Sequence, residues 1–85
     1  MEGLAHVEPA VAFGKVLKRL RKERGFTQER LAQESGYHTT YISQIECGKK
    51  NPTLPTLFRI AEALEILPED IITSTREEIA QSPPE

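Results

Sequence analysis

A single cysteine, Cys47, excludes an intramolecular disulfide and any zinc site of the ribbon type, both of which need paired thiols. Tryptophan is absent, and two tyrosines and three phenylalanines make up the whole aromatic complement, so the core is expected to be aliphatic. No run approaches the roughly 20 apolar residues of a membrane span. The first nine residues carry Glu2 and Glu8 but neither Lys nor Arg, and no apolar run follows before Lys15. A secretory signal is therefore not expected, and the chain reads as cytoplasmic. The glycines nowhere take the spacing of a phosphate loop. His38 and Ser43 fall on different faces of one short predicted helix, and His6 and Cys47 belong to separate segments. No triad or metal cluster can be assembled from them, so neither enzymatic activity, a metal nor a cofactor is expected.

What the sequence does hold is a strong charge asymmetry behind a net charge of −2. From Lys15 to Lys50, nine basic residues stand against four acidic ones, whereas from Asn51 to Glu85 two basic residues stand against seven acidic. Such a chain can turn one face to a polyanion while its other end is repelled. A solvated, charged helix surface is the competing reading of the same pattern. At 85 residues there is room for one domain and one core.

The periodicity is helical throughout, and the fold expected is all-α. Val11, Phe13, Val16, Leu17 and Leu20 form an apolar stripe with basic residues between them, predicting a helix over 10–24. Gly25 marks its end, and Thr27 offers a cap for a second helix over 28–35. Gly36 allows a sharp turn. A third helix is predicted from Thr39 to about Cys47, followed by an irregular loop over 48–55. A fourth helix starts near Pro55, after Thr53 or Leu54, with Leu57, Ile60, Ala61, Leu64 and Leu67 at helical spacing. A short fifth helix is expected over 68–73, carrying Ile71 and Ile72 to the same core. The resulting division is an arm over 1–9, a folded domain over 10–73 and a tail over 74–85, mobile beyond about Glu78.

Function is concentrated between Gln28 and Ile45. Ala32 is small where two helices must cross closely, Gly36 supplies the turn, and Leu31, Ile42 and Ile45 fill the wedge beneath. Two helices locked at a steep angle by a short glycine turn form a helix-turn-helix, whose second helix projects as a ridge matched to a DNA major groove.

The sequence resembles the lambdoid phage repressor and Cro-like group, the Xre family. The resemblance rests on Leu17, Arg21, Gly25, Thr27-Gln28, Leu31-Ala32, Gly36, the run Tyr41-Ile42-Ser43-Gln44-Ile45-Glu46, Gly48-Lys49, Pro52-Thr53-Leu54 and Leu57. It implies a compact five-helix domain that docks helix 3 in the major groove of double-stranded DNA, usually as a homodimer, with contact to RNA polymerase as a further route of regulation. Thr40-Tyr41-Ile42-Ser43 followed by Asn51-Pro52-Thr53-Leu54 is similar in particular to the controller proteins of restriction-modification systems. The chain departs from them at Thr39, where some carry a base-reading Arg, and at Cys47, so no operator sequence is carried over. The thiol itself is expected to be buried or half-buried and inert.

By the same resemblance, Thr39, Thr40 and Gln44 are the base readers. Gln can make a bidentate contact with adenine, and Thr can meet a thymine methyl or a base edge. His38 and Ser43 stand beside them, although His38 or Thr39 can equally be read as the cap of helix 3, and Ser43 can bond its own backbone. Thr27, Gln28, Tyr41, Lys49, Lys50 and Asn51 are assigned to phosphates, with capping the second reading of Thr27 and partial burial that of Tyr41. Arg21 and Glu46 are implied as a salt bridge tying helix 1 to the end of helix 3. Leu64, Ile66, Leu67, Ile71 and Ile72 are offered as a dimer surface, a surface that would equally serve a protein-interaction module such as an antitoxin or phage accessory factor.

Overall fold

A computed structural model describes residues 7–81, in which five helices and, among the described residues, no strand are present: α1 (Pro9–Glu23), α2 (Gln28–Ser35), α3 (Thr39–Glu46), α4 (Leu54–Leu64) and α5 (Pro68–Gln81). Most of the expected arm, 1–6, and the last residues of the expected tail, 82–85, lie outside the described residues. Pro9 opens α1 at its first turn, where a missing N–H costs nothing. Thr27 caps α2 by accepting from Arg30 N at 3.0 Å, and Thr53 caps α4 by accepting from Thr56 N at 3.2 Å.

The core is aliphatic, as the scarcity of aromatics predicts. Val16 and Leu17 of α1, Leu31 of α2, Ile42 and Ile45 of α3, Ile60 and Leu64 of α4, and Ile71 of α5 are its largest fully buried members. Helix α1 is the central strut, with α3 packed across one part of it and α5 along another. The crossing of α1 and α3 is close because position 14 is glycine. A Cβ there would collide with the carbonyl oxygen of Ile45 and lie 2.7 Å from that of Glu46.

Helix α5 is longer than its sequence suggests. An end near Thr73 was expected, with a tail from Ser74, but the helix runs to Gln81, burying Thr75 as well as Ile71. The cost of burying the Thr75 hydroxyl is relieved by its bond to the Ile71 carbonyl at 2.8 Å. A polar residue facing inward is what hides this turn from a reading based on apolar spacing.

The same backbone device closes α1, α3 and α4. At α1, Phe26 N donates to Arg21 O and Gly25 N to Lys22 O; at α3, Lys49 N donates to Gln44 O and Gly48 N to Ile45 O; at α4, Ile66 N donates to Ala61 O and Glu65 N to Glu62 O. This paired-bond ending needs a left-handed residue. Gly25 and Gly48 supply it, but α4 uses Glu65 at φ 58°, the one non-glycine residue at positive φ among those described. A Cβ in that conformation costs on the order of 1 kcal/mol. Glu65→Gly is accordingly expected to raise stability, by up to about 1 kcal/mol, read as a higher denaturation midpoint at unchanged slope; a lower midpoint would show that the side chain contributes more than its backbone strain costs.

Candidate nucleic-acid interface

Helices α2 and α3 meet through Gly36, whose φ of 82° turns the chain while Gly36 N and Tyr37 N both donate to Ala32 O at 2.9 Å. The inner face of α3 is fixed by Ile42 and Ile45, both fully buried. Its outer face presents Thr39, Thr40, Ser43 and Gln44, at offsets that place them side by side on a helix. Thr40 is exposed and the other three half-buried, and none of their side chains makes a hydrogen bond or ion pair with another described residue. With its side chains an α-helix is about 10–12 Å across, a match for the about 12 Å width of the major groove.

The expected capping role of His38 or Thr39 is not what the structure contains. His38 occupies the cap position, yet its side chain makes no capping bond, and Thr39 already lies within the helix. The two residues are thus left with exposed or half-exposed polar groups beside Thr40. The first N–H groups of α3 are uncapped by any side chain.

What holds this ridge in place is a buried polar knot. Arg21 donates from Nε to Glu46 Oε2 at 2.6 Å and from Nη2 to Glu46 Oε1 at 3.1 Å, while its Nη1 donates to the Phe26 carbonyl at 2.8 Å. Both side chains are almost wholly buried, 8% and 3% exposed. Gln28 Nε2 completes the knot by donating to Glu46 Oε1 at 2.9 Å. A bidentate, charge-assisted pair of this kind is directional. It therefore fixes three things at once: the end of α1, the start of α2 and the end of α3.

The knot also shapes the start of α2. The amide nitrogen commits the Gln28 side chain to Glu46 and so to the interior of the domain. Thr27 accepts from Arg30 N through its hydroxyl oxygen, so the hydroxyl hydrogen stays free to donate outward. Lys49, Lys50 and Asn51 are exposed in the loop after α3, and neither lysine has an ion-pair partner among the described residues. By contrast, Arg19 of α1 pairs with Glu23 at 3.8 Å, and Arg24, the C-cap of that helix, donates to the Glu65 carbonyl at 3.1 Å.

Tyr41 is half-buried, and its hydroxyl lies 3.3 Å from Thr56 Oγ1 on α4. The same Thr56 oxygen accepts from Tyr37 at 3.0 Å and lies 2.9 Å from Thr53 Oγ1. This cluster was not anticipated. Neither Tyr37 nor Thr56 draws attention in a sequence where the aliphatic residues carry the periodicity.

Three expectations are corrected by burial. Leu64 is 1% exposed and Ile71 is fully buried, so both belong to the core and cannot line a dimer surface. Ile66 is half-buried against that core, whereas Leu67 and Ile72 are exposed, together with Leu54 and Phe58. Cys47, the C-cap of α3, is exposed rather than buried.

Residues 17–71 match the helix-turn-helix family. Among curated proteins, the chain is 41% identical over 64 residues to the uncharacterized HTH-type transcriptional regulator y4dJ of Sinorhizobium fredii, covering 75% of this chain and 83% of that protein. It is 38% identical over 64 residues to the control protein C.BamHI of Bacillus amyloliquefaciens, covering 74% of this chain and 79% of the relative. Among solved structures, the restriction-modification controller protein C.Esp1396I, crystallised as a tetramer with its natural 35 base-pair operator, superposes with a TM-score of 0.80 at 33% identity, over 89% of this chain and all of that one. Fold, turn geometry and these likenesses agree, and the chain belongs to the helix-turn-helix family of Xre type, whose members similar to it include restriction-modification controller proteins.

Proposed function

We propose that this protein is a cytoplasmic, sequence-specific transcriptional regulator that binds double-stranded DNA as a homodimer, laying α3 of each subunit in the major groove of a pseudo-palindromic operator. The observation that carries the reading is the outer face of α3: four uncommitted polar side chains on a helix whose inner face and far end are locked by Ile42, Ile45 and the Arg21–Glu46 pair. A fixed ridge with free donors and acceptors is what base reading requires. The relatives support it, being named as transcriptional regulators and controller proteins, one of them held on its operator.

In this reading Gln44, Thr40 and Thr39 read bases, with His38 and Ser43 at the margins. Thr27, the α2 N-terminus at Gln28, Lys49, Lys50 and Asn51 hold phosphates and set the register, whereas the Tyr41 hydroxyl is taken up by Thr56. The exposed apolar side chains Leu54, Phe58, Leu67 and Ile72 provide the surface for a second subunit, which a two-half-site operator demands. No cofactor, metal or catalytic step is involved, and regulation follows from where the bound dimer blocks or touches RNA polymerase.

The two classes of contact separate experimentally. Gln44→Ala is expected to weaken the preferred duplex by about 1–3 kcal/mol while leaving random DNA nearly unaffected. Lys49→Ala is expected to weaken both duplexes alike and to reduce the salt slope by about one. Equal losses on both duplexes for Gln44→Ala would remove it from the base-reading set.

A further inference from the structure

Helix α3 is fastened at both ends, and the two fastenings differ. Its C-terminal end is held by the Glu46 knot and by the close approach of α1 at Gly14. Its N-terminal end is held by hydroxyls. Tyr37, two residues before the helix, and Tyr41, in its first turn, flank Thr39 and Thr40, and both phenolic oxygens converge on Thr56 Oγ1 in the first turn of α4. The rings support each other with centroids 5.1 Å apart at 52°, and the Arg59 guanidinium lies 5.6 Å from the Tyr37 ring centre.

Thr56 is 2% exposed, so its hydroxyl has no recourse to water. A hydroxyl has one hydrogen to donate and two lone pairs. Thr56 has a partner for all three: it accepts from Tyr37 and shares one hydrogen bond with the Tyr41 hydroxyl and one with Thr53 Oγ1, the oxygen that caps α4. The cluster is saturated, which makes it directional. It links the turn, the first turn of α3 and the cap of α4 through single atoms.

We infer that Tyr37 is a positioning residue for DNA recognition: through Thr56 its hydroxyl sets the orientation of the N-terminal turn of α3, and with it the angle at which Thr39 and Thr40 meet the bases. This inference rests on the base-reading role proposed above for the outer face of α3. Base contacts demand placement within fractions of an ångström, whereas phosphate contacts from flexible lysines do not. Slackening the N-terminal turn should therefore lower sequence discrimination and leave non-specific affinity alone.

The test compares the full chain and its variants on two probes at one fixed salt concentration: the best duplex recovered from a random library, and a random duplex of equal length. Tyr37→Phe keeps the ring, its stacking and the Arg59 contact while removing one hydroxyl. It is expected to weaken the preferred duplex about tenfold, the worth of one hydrogen bond, to change random-duplex affinity less than about twofold, and to lower the melting temperature by no more than about 8 °C. Thr56→Val should reproduce the loss and Thr56→Ser should restore discrimination. Tyr37→Phe combined with Thr56→Val should discriminate no worse than Thr56→Val alone, since both act through one atom. A tenfold loss on both duplexes, or an unchanged ratio between them, overturns the inference. Gln44→Ala distinguishes the two levels: if it abolishes discrimination and Tyr37→Phe does not, only the positioning role fails; if the unaltered protein shows no preferred duplex, the base-reading role fails and the inference with it.

Discussion

Glu46→Ala is expected to lower the stability of this protein by about 3–5 kcal/mol. The alanine removes both acceptors of the Arg21 guanidinium, which is only 8% exposed and has no other carboxylate in reach among the described residues. A buried cation then remains with the Phe26 carbonyl as its one partner, and Gln28 loses its anchor. For a domain of this size total stability is on the order of 5–10 kcal/mol, so a drop in melting temperature of roughly 15 °C or more follows. The loss reflects an abandoned charge more than the net worth of the pair. Arg21→Met combined with Glu46→Leu, which removes both charges and keeps their volume, is therefore expected to cost less than either single change. Chemical denaturation of the unaltered protein, the two single variants and the double variant decides it; a double variant as unstable as the sum of the singles would show that the two side chains are not coupled and that no orphaned charge is responsible for the loss.

Gly14→Ala is the second large effect, and its sign is what makes it informative. At an exposed position inside a helix, alanine gains about 1 kcal/mol over glycine. Here the added methyl meets the backbone of Ile45 and Glu46, which no side-chain rotation can move aside. Helix α3 must lift from α1, disturbing the packing of Ile45 and the geometry of the Glu46 carboxylate together. A net loss of about 1–3 kcal/mol is expected, with weakened operator binding because the recognition ridge itself is displaced. A stabilised Gly14→Ala protein would mean that the helices separate without penalty.

The helix framework is open to a reading of the sequence because punctuation and periodicity agree. Gly25 with Thr27, Gly36, Gly48 and Thr53 bound the first three helices and the start of the fourth to within about a residue, and Leu31, Ile42 and Ile45 lie buried where their spacing places them, but the apolar spacing carries the fourth helix to Leu67 and it ends at Leu64. The outer face of α3 follows from the same spacing, since the positions left over from a buried stripe must face outward. Several features are not legible. Arg21 and Glu46 are 25 residues apart, and nothing in local pattern pairs them; only the family resemblance does. The aliphatic residues of α4 and α5 divide between core and surface by helix rotation, which separates Ile71, fully buried, from its neighbour Ile72, 52% exposed. Burial of Thr75 and Thr56 depends on a hydroxyl finding a partner in three dimensions, so the length of α5 and the tyrosine–threonine cluster are tertiary facts. Gly14 is visible as a glycine inside a helical pattern, a signal of close approach, but the sequence does not say which backbone approaches.

The central claim is that α3 reads DNA sequence from a two-fold arrangement of subunits. Selection of bound duplexes from a random library, carried out at a stated salt concentration with the protein and with Gln44→Ala in parallel, tests it most directly. The account predicts a pseudo-palindrome with half-sites about one helical turn apart, blurred or lost in the Gln44→Ala selection. Recovery of no preferred sequence by the folded protein, or of the same sequence by both proteins, would contradict it.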